Sequence, residues 1–252
     1  MAGQDVLAPL LVAPHRSAVL TDFDGTLAPV VDDPVAAVAL PGTAEVLRSL
    51  TKRYGCVLVV SGRRASFLAA RLGPGLRLSG LYGLEEADGS GAVVVAAEAA
   101  SWAGVVSATV ARAEADLGPV VEAKGLSLTL HFRTVPQREG EIRGWAAAEA
   151  ARSGLVVRAA KASVELHPPV SADKGTVVEG AVTGLAAACF LGDDVGDLPA
   201  FDALDRLAAQ GLHTVRIGVR TEEAPPELLD RADLVVDGPE GALAVLRHLA
   251  SA

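Results

Sequence analysis

Residues 18–26 read Ala-Val-Leu-Thr-Asp-Phe-Asp-Gly-Thr, and the reading of this stretch decides the fold. Ala18–Leu20 is a short apolar run of strand type. Asp22 and Asp24 leave it on the same side of the chain, and Gly25 permits a sharp turn. Two carboxylates so close either share a divalent cation or divide the roles of nucleophile and acid/base. A turn followed by a helix cap is the blander reading of the same residues.

Outward from this point, apolar runs alternate with helical segments. Thr43–Tyr54 reads as a helix after Pro41-Gly42. Cys56–Val60 is a second buried strand that ends at Ser61-Gly62-Arg63-Arg64, with a helix to about Leu72. Ala187–Leu191, Val215–Val219 and Asp233–Val236 continue the series, and Gly241–Ala250 is a terminal helix. The alternation predicts an α/β fold, Rossmann-like, with a parallel sheet covered by helices on both faces. Ligands of such sheets lie at the carboxyl ends of the strands, where this chain carries Asp22, Asp24, Ser61, Arg63, Asp193 and Asp194.

Residues 97–169 follow a different pattern: helix (Ala99–Leu117), strands (Pro119–Ala123, Leu126–Arg133), helix (Gln137–Ser153), strands (Leu155–Ala160, Lys161–His167). This αββαββ order predicts an open-faced sheet with two helices on one side, inserted as a cap into a larger domain of residues 1–96 and 170–252. Period two puts Ser127, Thr129, His131 and Arg133 on one face and Leu126, Leu128, Leu130 and Phe132 on the other. Lys161, Ser163, Glu165 and His167 share a polar face in the same way. That face is either simply solvated or a binding surface.

Of 252 residues half are hydrophobic, enough for a sizeable core, and the formal net charge of −9 disfavours duplex DNA or an anionic membrane as partner. Cys56 and Cys189 each stand inside an apolar run and read as buried thiols, not as a metal site or disulfide. The first residues lack a basic segment before their apolar stretch and no run reaches the ~18 residues of a membrane span, so a soluble, cytoplasmic protein is expected.

Three further stretches carry chemistry. Gly192-Asp193-Asp194-Val195-Gly196-Asp197 places three acids at a strand end, where they repel one another unless a cation or hydrogen-bond donors compensate; otherwise the loop is merely solvated. Oxygen donors with no Cys or His nearby favour Mg2+ over zinc. Lys174 is one of only four lysines against eighteen arginines and opens a predicted helix capped by Asp173. Ser61-Gly62-Arg63 is an ordinary strand-to-helix turn or, with its hydroxyl and helix amides, a site for a phosphoryl oxygen.

In this order the stretches LTDFDGTLAPVVDDP, VVSGRR, LSGLYGLE, LTLHFR, KASVELHPPVSADKG and LGDDVGDLPAF, spanning Leu20 to Phe201, resemble the haloacid dehalogenase-like superfamily of aspartate-nucleophile phosphohydrolases. Within it they resemble the trehalose-6-phosphate phosphatase family. The family's usual His-Gly after the second motif is Tyr82-Gly83 here. The arginine often following the substrate glutamate is His167, the asparagine before it is Ser163, and the acidic pair after the last motif is Leu198-Pro199. The resemblance implies a Mg2+-dependent phosphatase with Asp22 as nucleophile and Asp24 as acid/base. Asp22, the Asp24 backbone carbonyl and Asp193 would bind the metal, with Asp194 and Asp197 behind them or acting through water. Lys174 and Ser61 would compensate phosphate charge. It also implies cap residues Arg133, Lys161 and Glu165, with His131 and Ser163, reading a small-molecule sugar phosphate, and Arg63 contributing from the core side, the two domains closing about linkers near Ala97 and Val170. A monomer without nucleic-acid or membrane partners is expected. The alternatives are a phosphatase for another sugar phosphate, such as sucrose 6-phosphate or mannosyl-3-phosphoglycerate, and a non-catalytic sensor.

Overall fold

The structure, a computed structural model, describes residues 2–31, 33–160, 162–222 and 224–251. In chain order the first stretch contains α1 (Ala2–Val12), β1 (Ser17–Thr21), α2 (Thr43–Thr51), β2 (Cys56–Val60), α3 (Ala65–Leu72), β3 (Arg77–Gly80), β4 (Glu85–Ala87) and β5 (Val93–Val95). The middle contains α4 (Ala97–Ala100), α5 (Ala103–Leu117), β6 (Val121–Ala123), β7 (Leu128–His131), α6 (Glu139–Ser153), β8 (Val156–Ala160) and β9 (Ser163–His167). The last part contains α7 (Lys174–Ala181), β10 (Ala187–Gly192), α8 (Leu198–Ala209), β11 (His213–Arg220), α9 (Pro226–Arg231), β12 (Leu234–Asp237) and α10 (Gly238–Ser251). Two compact units result, Met1–Val94 with Ala172–Ala252, and Val95–Ser171.

The first unit is built on a sheet ordered β12-β11-β10-β1-β2-β3-β4-β5. The run from β12 to β3 is parallel, and β4 turns back antiparallel on β3. Strands β1, β2 and β10 are buried along their whole length, which explains their unbroken apolar sequences. Alternate residues feed two cores. Val19, Val57, Val59, Cys189 and Leu191 pack with α1, α2 and α10 residues such as Leu10, Leu47 and Leu246. Leu20, Leu58, Val60 and Phe190 pack on the other face with Val178 of α7 and Phe201 and Leu204 of α8. From β1 the chain steps to β2 on one side, and β10 lies on the other, so β1 is where the strand order reverses. In open α/β sheets the crevice beyond the carboxyl ends at such a point is the ligand site. Asp22 and Asp193 are the residues that follow β1 and β10.

The second unit is an antiparallel sheet ordered β6-β7-β9-β8. Leu128, Leu130, Phe132, Val164 and Leu166 pack from one face against Val106, Ala113 and Leu117 of α5 and Ile142 and Ala146 of α6. The register pairs Thr129 with Glu165 and His131 with Ser163, so the polar residues share the opposite face. That face is not simply solvated: Ser127, Thr129, Ser163 and Glu165 are all buried.

Several local expectations need correction. The helix expected over Ala99–Leu117 is two helices, α4 and α5, because the Ser101 hydroxyl donates to the Glu98 carbonyl at 2.7 Å and closes a turn there. The strand expected from Pro119 starts only at Val121, since Gly118–Val120 forms a 3₁₀ turn and proline has no N–H for a ladder. Helix α1 forms despite Pro9, because Leu7 and Leu10 anchor it in the core. Among the described residues no helix is long and apolar enough to cross a membrane.

Candidate active site

The Asp22 N–H donates to the Leu191 carbonyl at 2.8 Å, extending the β1–β10 ladder one residue beyond β1 and fixing where the Asp22 side chain leaves the sheet. Gly25 then turns with φ +76°, and a Cβ there would overlap the Asp193 carboxylate, so only glycine lets the two loops meet this closely. Thr26 donates to Asp193 Oδ1 at 3.2 Å. From a third element comes Lys174, the first residue of α7. Asp173 caps that helix, its Oδ1 accepting from the Thr176 N–H at 2.8 Å while Thr176 Oγ1 accepts from the Asp173 N–H at 3.1 Å. Lys174 is 3% exposed, and its Nζ lies 2.7 Å from Asp22 Oδ1 and 2.6 Å from Asp197 Oδ1. Asp197 Oδ2 accepts from the N–H groups of Asp193 and Asp194 at 2.9 and 3.1 Å. Both Asp197 oxygens therefore hold the ammonium and the acidic loop in place.

Carboxylate oxygens of Asp22, Asp193 and Asp197 come within 4.8 Å of one another. Burial pushes the Asp22 carboxyl well above its ordinary value; Lys174 opposes this, and Asp197, Asp193 and Asp194 add to it. Burial likewise raises Asp197, to about 6, against the pull of Lys174. For Lys174 burial acts downward, but Asp197 and Asp22 outweigh it and the ammonium is held well above its usual range. The Lys174 ammonium thus faces Asp22, Asp197 and Asp194, and Asp194 Oδ1 is buried with no hydrogen-bond partner among the described residues. A cluster of hard oxygen donors of this kind fits a hard divalent cation.

Asp24 is held differently. Arg63 donates to it bidentately, Nε to Oδ2 at 2.9 Å and Nη2 to Oδ1 at 2.8 Å, and its Nη1 donates to the Pro34 carbonyl at 2.6 Å. The guanidinium lies 4.8 Å over the Phe67 ring, which itself meets Phe23 edge-on at 6.1 Å. Arg63, expected to contribute to sugar binding from the core side, is thus a partner of Asp24 in this structure. Ser61 is buried at the end of β2. Its Oγ accepts from the Arg63 N–H at 3.1 Å, leaving its own hydrogen to donate. Asp22, Asp24, Ser61, Arg63, Lys174, Asp193, Asp194 and Asp197 all gather at the carboxyl edge of the parallel sheet. Sequence alone does not single out Thr26 or Glu85, though Thr26 follows Gly25 in the first motif and Glu85 ends LSGLYGLE. Glu85 is 2% exposed and accepts from the Ala65 N–H at 2.9 Å, capping α3 from twenty residues away.

The remaining candidates belong to the second unit. Glu165 Oε1 accepts from the Ser127 hydroxyl at 2.6 Å, and His131 Nε2 lies 2.8 Å from Glu122. Ser163 starts β9 opposite His131, and Arg133 stands two residues past β7. Lys161 lies outside the described residues. His167 is pushed down from its ordinary pKa by burial and by Arg158, which leaves it neutral at pH 7.

A parallel α/β core with paired aspartates after the central strand, a serine after the next, a lysine opening a later helix and further acids after the neighbouring strand defines a phosphatase-type fold of the haloacid dehalogenase-like superfamily. The Trehalose-phosphatase family matches residues 20–227, and the chain belongs to that family. It is 34% identical over 227 residues to the trehalose-phosphate phosphatase of Mycobacterium tuberculosis (strain H37Rv), a match covering 85% of this chain and 56% of that protein. The chain spans about half the length of the curated relatives it matches. The C-terminal domain of the Candida albicans trehalose-6-phosphate phosphatase superposes with a TM-score of 0.75 at 25% identity, covering 96% of both chains. A trehalose-6-phosphate phosphatase related protein superposes with a TM-score of 0.75 at 20% identity, covering 92% of this chain and 96% of that one, which bears on the fold alone.

Proposed function

We propose that this chain is a Mg2+-dependent phosphatase that hydrolyses trehalose 6-phosphate to trehalose and inorganic phosphate through an aspartyl-phosphate at Asp22. One observation carries the reading: a buried carboxylate at the strand-order reversal, Asp22, is held 2.7 Å from a buried ammonium, Lys174, beside Asp193 and Asp197. An attacking carboxylate and a phosphate dianion repel each other, so positive charge and donors must stand between them. Lys174 and the Ser61 hydroxyl supply part of that compensation. A Mg2+ ion held by Asp22, Asp193 and the Asp24 backbone carbonyl, with Asp194 and Asp197 adjoining, would supply the rest by neutralising phosphoryl charge.

In the first half-reaction an Asp22 oxygen bonds to phosphorus, the bond from phosphorus to the sugar oxygen breaks, and Asp24 gives its proton to that oxygen. In the second, water attacks the phosphorus of the aspartyl-phosphate and gives its proton to Asp24, releasing phosphate and restoring Asp22. The sugar is uncharged and rich in hydroxyls, so its recognition falls to convergent hydrogen bonds. Arg133, Lys161 and Glu165, with His131 and Ser163, are the residues assigned to it. The protein acts as a monomer on a small diffusible substrate in the cytoplasm.

Phosphate release from a panel of trehalose 6-phosphate, sucrose 6-phosphate, mannosyl-3-phosphoglycerate and glucose 6-phosphate tests the reading, each with Mg2+ and with EDTA. Release is expected to be fastest from trehalose 6-phosphate and to stop in EDTA. Preference for another ester overturns the substrate, and no release from any of them overturns the activity.

A further inference from the structure

Leu81 and Tyr82 are consecutive non-glycine residues in the left-handed region, with φ +49° and +58°. Each such residue is disfavoured and persists only where its surroundings over-determine it. The Tyr82 N–H donates to the Ser61 carbonyl at 3.0 Å, the Leu81 N–H donates to the Arg63 carbonyl at 2.8 Å, and the Ser61 N–H donates to the Ser79 carbonyl at 2.9 Å. Three backbone bonds therefore lash the end of β3 and its turn to the loop that carries Ser61 and Arg63. The outer end of the Tyr82 ring packs against the same loop: a Cβ on Gly62 would come within 2.6 Å of its Cζ and Oη. On its other side the turn packs on α7, where a Cβ on Gly83 would come within 2.8 Å of Val177 Cγ2. Tyr82 also lies within electrostatic reach of the Lys174 ammonium. The turn is thus a spacer between the loop of Ser61 and Arg63 and the helix of Lys174.

We propose that Tyr82 is a positioning residue whose left-handed turn and ring fix the Ser61–Arg63 loop and, through Arg63, the place of the Asp24 carboxyl, which gives up one bond of the fork when it carries the proton for the leaving-group oxygen. The proposal rests on the phosphatase reading above. A misaimed acid matters most where the leaving group needs a proton. The sugar alkoxide of trehalose 6-phosphate needs one, and the nitrophenolate of 4-nitrophenyl phosphate does not. The quantity to compare is kcat/KM, which reports the step that expels the leaving group.

Tyr82→Gly relaxes the left-handed turn and deletes the ring. It is expected to lower kcat/KM about 30- to 100-fold on trehalose 6-phosphate and less than about threefold on 4-nitrophenyl phosphate. Tyr82→Phe, which keeps the ring, is expected to lose much less on trehalose 6-phosphate than Tyr82→Gly. Tyr82→Asn, which also tolerates the left-handed turn, gives the same comparison if the glycine variant does not fold. In an Asp24→Asn background Tyr82→Gly is expected to cost nothing further on trehalose 6-phosphate, because no acid is left to aim. Equal losses on the two esters, wild-type rates for Tyr82→Gly, or a further loss in the Asp24→Asn background overturns the proposal alone. Wild-type protein inactive on both esters overturns the phosphatase reading and the proposal with it.

Discussion

Replacing Lys174 by methionine keeps much of the side-chain volume and removes the one ammonium that two buried carboxylates share. Contacts of 2.7 and 2.6 Å are lost at once, between groups that are almost entirely inaccessible. Breaking a buried pair from one side costs about 3–5 kcal/mol, because the remaining charge has neither water nor partner. About 4 kcal/mol at pH 7.5 is expected for Lys174→Met without divalent cations, which for a chain of this size lowers Tm by about 10 °C. The loss depends on pH in a definite direction. The folded Asp22 and Asp197 carboxyls are raised above their unfolded values, and without Lys174 they rise further. A carboxyl raised on folding contributes stability that is present below its unfolded pKa and lost as pH rises through its folded pKa. Each extra proton the folded variant binds changes the difference by about 1.4 kcal/mol per pH unit. The deficit should shrink to about 2 kcal/mol at pH 5.5, and Mg2+ should restore part of it at pH 7.5. Urea denaturation in EDTA at both pH values, repeated at pH 7.5 with Mg2+, provides the readout. A deficit under about 1 kcal/mol, or one equal at both pH values, refutes the electrostatic reasoning.

Asp22→Asn removes a carboxyl that burial raises, whose destabilising effect grows as pH rises above the unfolded pKa and is complete above the folded one. In EDTA the variant should therefore melt above wild type at pH 8, by a margin that narrows towards pH 5, while hydrolysis falls at least about 10³-fold; a lower melting temperature at pH 8 contradicts this. Mg2+ should raise the wild-type Tm more than that of Asp22→Asn, since the variant has lost a carboxylate donor; differential scanning calorimetry with and without the ion decides it. Glu165→Gln keeps an acceptor for the Ser127 hydroxyl but loses the charge. It should raise KM for trehalose 6-phosphate about 10- to 100-fold and leave 4-nitrophenyl phosphate hydrolysis unchanged, whereas equal loss on both means that Glu165 serves the fold of its sheet.

What could be read from the sequence follows from what each element buries. Strand β2 and helix α3 agree with their expected bounds, because a strand covered on both faces is an unbroken apolar run and Ser61-Gly62 punctuates its end. Strands β3, β4 and β5 do not stand out in the sequence: Arg-Leu-Ser-Gly and Glu-Glu-Ala are not apolar runs, Val93–Val95 is apolar but only three residues long and exposed, and these short strands exist by pairing at one end of the sheet. In the site, the acids, Ser61 and Lys174 stand out because polar groups terminate buried strands or open a helix. Their partnerships do not. The Arg63–Asp24 fork joins residues 39 apart, and Lys174 meets Asp197 from 23 away. Such pairings follow from strand order and register, which periodicity leaves open. The polar face of β7 and β9 was legible as a face, but its burial and the Glu165–Ser127 bond were not.

The most direct measurement is the covalent state of Asp22 during turnover. Wild-type protein mixed with trehalose 6-phosphate and Mg2+, quenched in acid within the first turnovers and reduced with borohydride, is digested and its peptides are sequenced by mass spectrometry. Conversion of residue 22 to homoserine, absent without substrate and absent in Asp22→Asn, is the expected result. Steady phosphate release with Asp22 unmodified at every quench time would show that some other group, or water itself, attacks the ester.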